Sequence, residues 1–400
     1  MAPRYRWVIL AVSVIAFLQT HLHRLAFAPL IPTFVGDLGL SYAAAGTIQT
    51  AYFWTYTAMQ VPVGVVADRW GVRRVMVTCM AVLAIGAAAF GASGGFASSV
   101  VARMIVGLGA SAVWVPAMRL VGEWFPPEER AAVTGMISAG GGLGGTLGFL
   151  LIPWLASWWG WRLAYGATAV PAILTLVLIA WCVRPGPRAA VAVGSRGGLG
   201  RVLATRELWP FNLLVFFSYG AYFSVITFLP AFLVTVHGAT RPQAGLVTGL
   251  ITAGTIVSWP LAGWLSDRAG RRKPFTVLSQ AAAGLGFLVF AFVTPHLSLV
   301  ATGFVAALLG LLIGGMILPF VMVVELTSPE LAATVSGVTN GACFVGAMIL
   351  PIVLGRIVDV TGGFGGAFTL AAGLEALALL CCIPLRETGR STGAAFAVRS

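Results

Sequence analysis

Long apolar runs succeed one another along the whole chain, separated by short polar breaks. A membrane-crossing helix needs about 20 such residues. By that measure the pattern predicts helices 1 to 6 at roughly 7–34, 44–67, 74–93, 97–121, 131–154 and 163–183. Helices 7 to 12 follow at roughly 210–236, 244–266, 274–294, 299–325, 331–356 and 363–385. The polar stretch 184–209, rich in Arg, Gly and Pro, parts six helices from six. The chain therefore reads as an N-terminal bundle (1–183), a linker (184–209), a C-terminal bundle (210–385) and a tail (386–400). Arg4 and Arg6 precede the first apolar run as in a signal peptide. That run has no small-residue cleavage site and is expected to stay as helix 1.

The polar breaks repeat. Gly64-Val-Val-Ala-Asp68-Arg69-Trp-Gly71-Val-Arg73-Arg74 closes helix 2, and Gly263-Trp-Leu-Ser-Asp267-Arg268-Ala-Gly270-Arg271-Arg272 closes helix 8. Both contain G-x-x-x-D-R-x-G-x-R, at an offset of 199 residues. A second pair lies at an offset of 202: Val121, Glu123, Pro127, Glu128, Val133 and Gly135 recur in order as Val323, Glu325, Pro329, Glu330, Val335 and Gly337. Helices 4–5 and 10–11 are thus equivalents. Parallel six-helix repeats imply a pseudo-two-fold axis along the membrane normal and a cavity between the halves.

Composition agrees: 59% of the 400 residues are hydrophobic and 9% charged, which excludes a soluble domain. The net charge of +12 could suggest nucleic-acid binding, but the basic residues cluster in the polar breaks, so no nucleic-acid partner is expected. With the N-terminus inside, 18 Arg or Lys residues fall in inner segments and three in outer loops. This places both termini and both cassettes in the cytoplasm, in a multi-pass protein of a bacterial inner membrane. The five cysteines make no disulfide or metal pattern. No catalytic triad, metal cluster or phosphate loop is recognisable, so the chain is read as neither an enzyme nor a cofactor binder.

Two cassettes at equivalent places in a six-plus-six chain closely resemble the major facilitator superfamily, along essentially the full length. The resemblance implies an all-α major facilitator fold, transport by alternating access, and a latch role for the cassettes in the outward-open state. Physics suggests the same contacts. Asp68 could meet the N-terminus of helix 11 and Asp267 that of helix 5. Arg69, Arg73 and Arg74 could pair with Glu123, and Arg268, Arg271 and Arg272 with Glu325. The alternative is that these arginines only set topology and bind anionic headgroups.

Charges within the spans are costly and usually functional. On helix 1, His21 and Arg24 share a face while His23 points elsewhere. Arg24 is read as a substrate-facing cation, the alternative being a helix-end carbonyl. Arg103 on helix 4 precedes Gly107 and Gly109, resembling a superfamily motif in which spaced glycines let helices pack. It is a candidate for binding or proton transfer, or for an ion-pair or carbonyl partner. Arg119 stands four residues before Glu123, the spacing of an intrahelical salt bridge, with a transport role second. On the C-terminal side Tyr222 and Asn340 are candidate cavity contacts, or helix–helix hydrogen bonds. Glu375 is the only acid mid-span, on a helix that in this superfamily usually lies at the periphery.

Cations without matching acids favour a small anionic substrate such as a carboxylate. Trp124-Phe125-Pro126…Arg130 and Gly160-Trp161-Arg162, with helix 1, resemble the organic-anion symporter branch, in which helix 1 often carries Tyr-x-Asp-Arg. Here His21 and His23 stand at the tyrosine and aspartate positions. Either a histidine carries the proton or transport is anion exchange. The expected protein is a monomer in the bilayer. The rivals are a proton-coupled drug or amphiphile exporter and a transport-inactive sensor.

Overall fold

The computed structural model describes residues 4–186, 198–328 and 331–389, and no strand occurs among them. Ten helices are long and apolar enough to cross a membrane. Two more complete the twelve passes. Helix 2 is divided at Met59 into Tyr42–Ala58 and Gln60–Trp70, and helix 6 ends in the shorter Ala169–Cys182. The chain divides into two compact units: Met1–Ala192 with Ala239–Gly249, and Val193–Gly238 with Leu250–Ser400.

In the first unit helix 1 (Tyr5–Leu38) runs as Tyr5–Leu25, a 3-10 turn at Ala28–Leu30 and Ile31–Leu38. Pro29 and Pro32 cause the break, because neither has an N–H to continue the ladder. Helix 3 is Val72–Gly91, and helix 4 is Phe96–Ala110 continued by Trp114–Trp124. Helix 5 extends beyond its predicted end. A continuous helical stretch, Pro127–Gly166, is interrupted only at Gly160, whose φ of 74° lets the chain turn into helix 6. In the second unit helix 7 is Trp209–His237, helix 9 Lys273–Phe292, helix 11 Ala332–Thr361 and helix 12 Gly365–Cys382; helix 8, Arg241–Ala269, belongs to it from Leu250 onward. Helix 10 changes to a 3-10 turn at Ile313–Ile317 between Leu299–Leu312 and Leu318–Glu325. Within the predicted linker, Gly198–Ala204 is helical and packs on helix 11.

Close helix packing repeats between the units. A side chain at Gly107 would strike the backbone of Tyr52, and one at Gly310 the backbone of Ile251. Tyr52 and Ile251 are separated by the cassette offset, and the two glycines by four residues more. The motif glycines after Arg103 therefore do what spacing suggested. Gly109 admits helix 3 at Cys79 and Leu83 in the same way. The later glycine of each cassette, Gly71 (φ 86°) and Gly270 (φ 66°), adopts a conformation that side chains disfavour, so glycine is needed where the chain turns into the next helix.

Candidate functional site

The break in helix 1 organises the first unit. The α-helical ladder ends where Ala26 N–H meets Leu22 O, leaving the following carbonyls to find other donors. Arg103, fully buried, supplies them. Its Nη1 donates to His23 O at 2.7 Å and to Tyr165 Oη at 2.9 Å. Its Nη2 donates to Arg24 O, Gln49 O and Gln49 Oε1, each at 3.3 Å, and Nε to Ile48 O at 3.4 Å. Gln49 Nε2 adds a bond to Arg24 O at 3.0 Å. A guanidinium whose N–H groups all address fixed oxygens, at the negative end of a helix, is a structural staple. The carbonyl-partner alternative thus describes the contacts that Arg103 makes. Gln49 and Tyr165 were missed; the signal was a lone amide and a lone phenol within apolar runs.

Arg24 itself stands in the last turn of the segment before the break. Its Nη1 donates to His21 Nε2 at 3.1 Å, and His21 Nδ1 is 3.2 Å from Phe17 O. This is the neutral imidazole, with the proton on Nδ1 and the lone pair of Nε2 turned to the guanidinium. The Arg24 Cζ is 4.8 Å from the ring centre of Tyr56, 5.7 Å from Tyr52 and 5.9 Å from Phe53. Tyr52 and Tyr56, one turn apart on helix 2, stack at 5.6 Å and make an electron-rich shelf under the cation. The glycines of helix 5 fix the register: Gly141 faces Phe17 and His21, and Gly144 meets the backbone of Leu18.

His21 and Arg24 therefore share a face, and His23 turns away as the helical spacing requires. His23 Nδ1 is 2.8 Å from Gln19 O, and its fully buried ring lies against Tyr165. A proton on His21 Nε2 would displace the Arg24 hydrogen bond and set two cations side by side. His23 Nε2 is buried without a partner.

At the cassette ends the two units solve one problem differently. In the second, Arg272 Nη2 lies 2.7 Å from Glu325 Oε1 and 2.9 Å from Asp267 Oδ1, and Nη1 donates to Ser266 Oγ at 3.1 Å. The bidentate Glu325 carboxylate holds the Arg272 guanidinium in its charged form, raising its pKa further. Arg268 lies over Trp264 instead. In the first unit, Glu123 Oε1 accepts from Arg119 Nε at 3.0 Å and Oε2 from Gly186 N–H at 2.9 Å. The expected pairing of Arg69, Arg73 and Arg74 with Glu123 gives way to this nearer donor; all three arginines are exposed. Arg119 thus forms the intrahelical salt bridge that its spacing suggested. The side chain of Asp68 lies outside the described residues. Arg130 caps the end of helix 4 through Gly122 O and Phe125 O, and Trp161 Nε1 donates to Asp37 Oδ2.

In the second unit Tyr219, Tyr222, Thr255, Trp259, Ile313 and Met316 line a small aromatic pocket, of which the sequence reading had named Tyr222. The helix–helix hydrogen bond weighed for Asn340 is made by its neighbour: Thr339 Oγ1 donates to Asn212 Oδ1 at 2.9 Å. Asn340 is half-buried. Glu375 departs from expectation. It is fully buried between helices 7, 9 and 12, not at the periphery.

Twelve apolar passes in two repeated units, with two buried cations at the break in helix 1, define a multi-pass membrane protein. The chain belongs to the Major Facilitator Superfamily, whose model matches residues 9–351 and 211–398. It is a secondary transporter and not an enzyme. It is 24% identical to the hexuronate transporter of Bacillus subtilis over 91% of this chain and 90% of the relative. To a probable sulfoacetate transporter of Cupriavidus necator it is 26% identical, covering 95% of this chain and 94% of that one. Among solved structures it superposes on an inward-facing, unoccupied bacterial homolog of the human lysosomal transporter Spinster with a TM-score of 0.75. That match has 20% identity over 96% of this chain and 95% of the other, and it bears on the fold alone.

Proposed function

We propose that the protein carries a small organic anion, of carboxylate type, across the bacterial inner membrane by alternating access. The observation that carries this reading is Arg24: a guanidinium deep in an apolar unit, laid on tyrosine rings and joined to a neutral histidine. The acids of the N-terminal repeat, Asp37, Asp68, Glu123, Glu128 and Glu129, all lie near helix ends. A transported anion is the natural counter-charge for Arg24. His21 is its neighbour and a second donor once its ring turns, and Tyr222 and Asn340 are the polar contacts offered by the C-terminal unit. Relatives whose names specify hexuronate, sulfoacetate and nitrate or nitrite support the same sign of cargo. The Arg/Lys distribution supports cytoplasmic termini and cassettes, and the cassettes serve as conformational latches in this reading.

Purified protein in liposomes, offered labelled glucuronate, sulfoacetate, nitrate and a lipophilic cationic dye, tests the proposal. Uptake or exchange of an anion, lost in Arg24→Ala, is the expected result. Transport of the dye alone would overturn it.

A further inference from the structure

A second buried polar cluster lies in the C-terminal unit, away from Arg24 and its partners. Glu375 of helix 12, Ser218 of helix 7 and Gln280 of helix 9 are each fully buried and come from three different helices. Ser218 Oγ is 2.7 Å from Gln280 Oε1 and 3.2 Å from Glu375 Oε1. Glu375 Oε2 and Gln280 Nε2 are buried without partners. Gly284, one turn from Gln280, leaves room for the stem of Glu375: a side chain there would meet Glu375 Cβ at 3.3 Å. The site is therefore built into the packing.

Counting hydrogens decides its state. Ser218 has one hydroxyl hydrogen, yet two acceptors face its oxygen. If Glu375 is a carboxylate, one contact has no hydrogen. If Glu375 is a carboxylic acid, the chain closes: Glu375 O–H donates to Ser218 Oγ, and Ser218 O–H donates to Gln280 Oε1. Turning the amide over would let Nε2 donate to Ser218 and Ser218 to a carboxylate. That arrangement leaves a full charge buried on one neutral hydrogen bond, which is far costlier.

Among the described residues no cation is bonded to the cluster. The titratable side chains on the inner halves of helix 12 and of the helices packed on it are Tyr219 and Tyr222 of helix 7, Lys273 of helix 9 and Cys343 of helix 11, with Cys381 and Cys382 on helix 12 itself. Lys273 is the only charged group of these, and its Nζ donates to Ile383 O and Leu385 O, more than two turns beyond Glu375. His237, Arg356 and Asp359 lie towards the opposite ends of their helices.

We propose that Glu375, Ser218 and Gln280 form a buried proton-binding site, in which Glu375 is a neutral carboxylic acid at neutral pH. Release is the simple dissociation of the acid: the O–H bond breaks, the electron pair stays on the carboxylate, and the proton passes to water. It requires a conformation that admits water or parts Glu375 from Ser218. Any proton that accompanies transport is then carried here and not on His21 or His23, a role that rests on the transport reading above.

Infrared spectroscopy of the full-length protein in lipid bilayers at pH 7 tests the site without any substrate, and so independently of the anion proposal. The wild type should show a protonated-carboxyl stretching band that is lost in Glu375→Gln. Ser218→Ala keeps the acid and removes its hydrogen-bond partner, so the band should shift. It also serves if the Gln variant does not fold. Superimposable wild-type and Glu375→Gln spectra, or a band indifferent to Ser218→Ala, would overturn the proposal.

Discussion

Arg103 Nη1 lies 2.7 Å from the carbonyl oxygen of His23, so a residue of helix 4 finishes the hydrogen bonding of helix 1 beside Arg24. Its other N–H groups hold Arg24 O, Gln49 and Tyr165. Replacing Arg103 by Ala strips these oxygens of donors inside an apolar unit and should cost on the order of 3 kcal/mol. Arg103→Lys has three donors for these partners and should recover only part of that. Thermal unfolding in detergent checks both. A midpoint unchanged in Arg103→Ala would contradict the staple.

Arg24 should behave differently, because its side chain rests on rings and a histidine and does not close a helix end. Arg24→Ala should leave folding near wild type and reduce anion uptake at least tenfold. Arg24→Lys keeps the charge but loses the planar stacking on Tyr52 and Tyr56, so it should retain weak uptake with a raised KM. Initial rates in liposomes, paired with unfolding midpoints, separate loss of a binding cation from loss of structure.

Gly144 sets how near helix 5 comes to helix 1. A methyl group there would run into Leu18 O, whereas one at Gly135 meets nothing within 4 Å. Gly144→Ala should therefore cost about 1–3 kcal/mol and impair uptake by moving His21 and Arg24. Gly135→Ala should be neutral or slightly stabilising, since alanine is the better helix former. Equal effects at the two glycines would show that the close approach carries no weight.

Helix number, the paired cassettes and the depth of Arg24 and Arg103 were legible because hydropathy and charge are local signals. What was not legible depended on register. That Arg103 reaches the carbonyls of His23 and Arg24 follows from a break at Pro29, some 75 positions away in the chain. The sequence offered three arginines to Glu325, and only the turn at Gly270 selects Arg272. It offered three to Glu123 as well, beside Arg119, and the i, i+4 spacing already pointed to the pair that forms. Helix 12 is apolar nearly all round, so no stripe said that Glu375 would lie on a buried face.

The cassette of the second unit makes the last test. Arg272 joins the end of helix 8 through Asp267, the end of helix 10 through Glu325 and its own position at the start of helix 9. Asp267 is 60% exposed and Glu325 31%, so solvent screening takes much of the Coulomb energy. The paired N–H···O geometry to Glu325 remains, worth about 1–2 kcal/mol. Arg272→Ala should destabilise the protein by that amount, and Glu325→Gln by somewhat less, since the amide still accepts one hydrogen bond. Arg271 is exposed, and its alanine variant should leave the midpoint unchanged. The double variant Arg272→Ala/Glu325→Gln should cost little more than Arg272→Ala alone, because the shared interaction can be lost only once. Fully additive losses would mean that the two residues act on separate partners, and the cassette would then be no more than a topology signal.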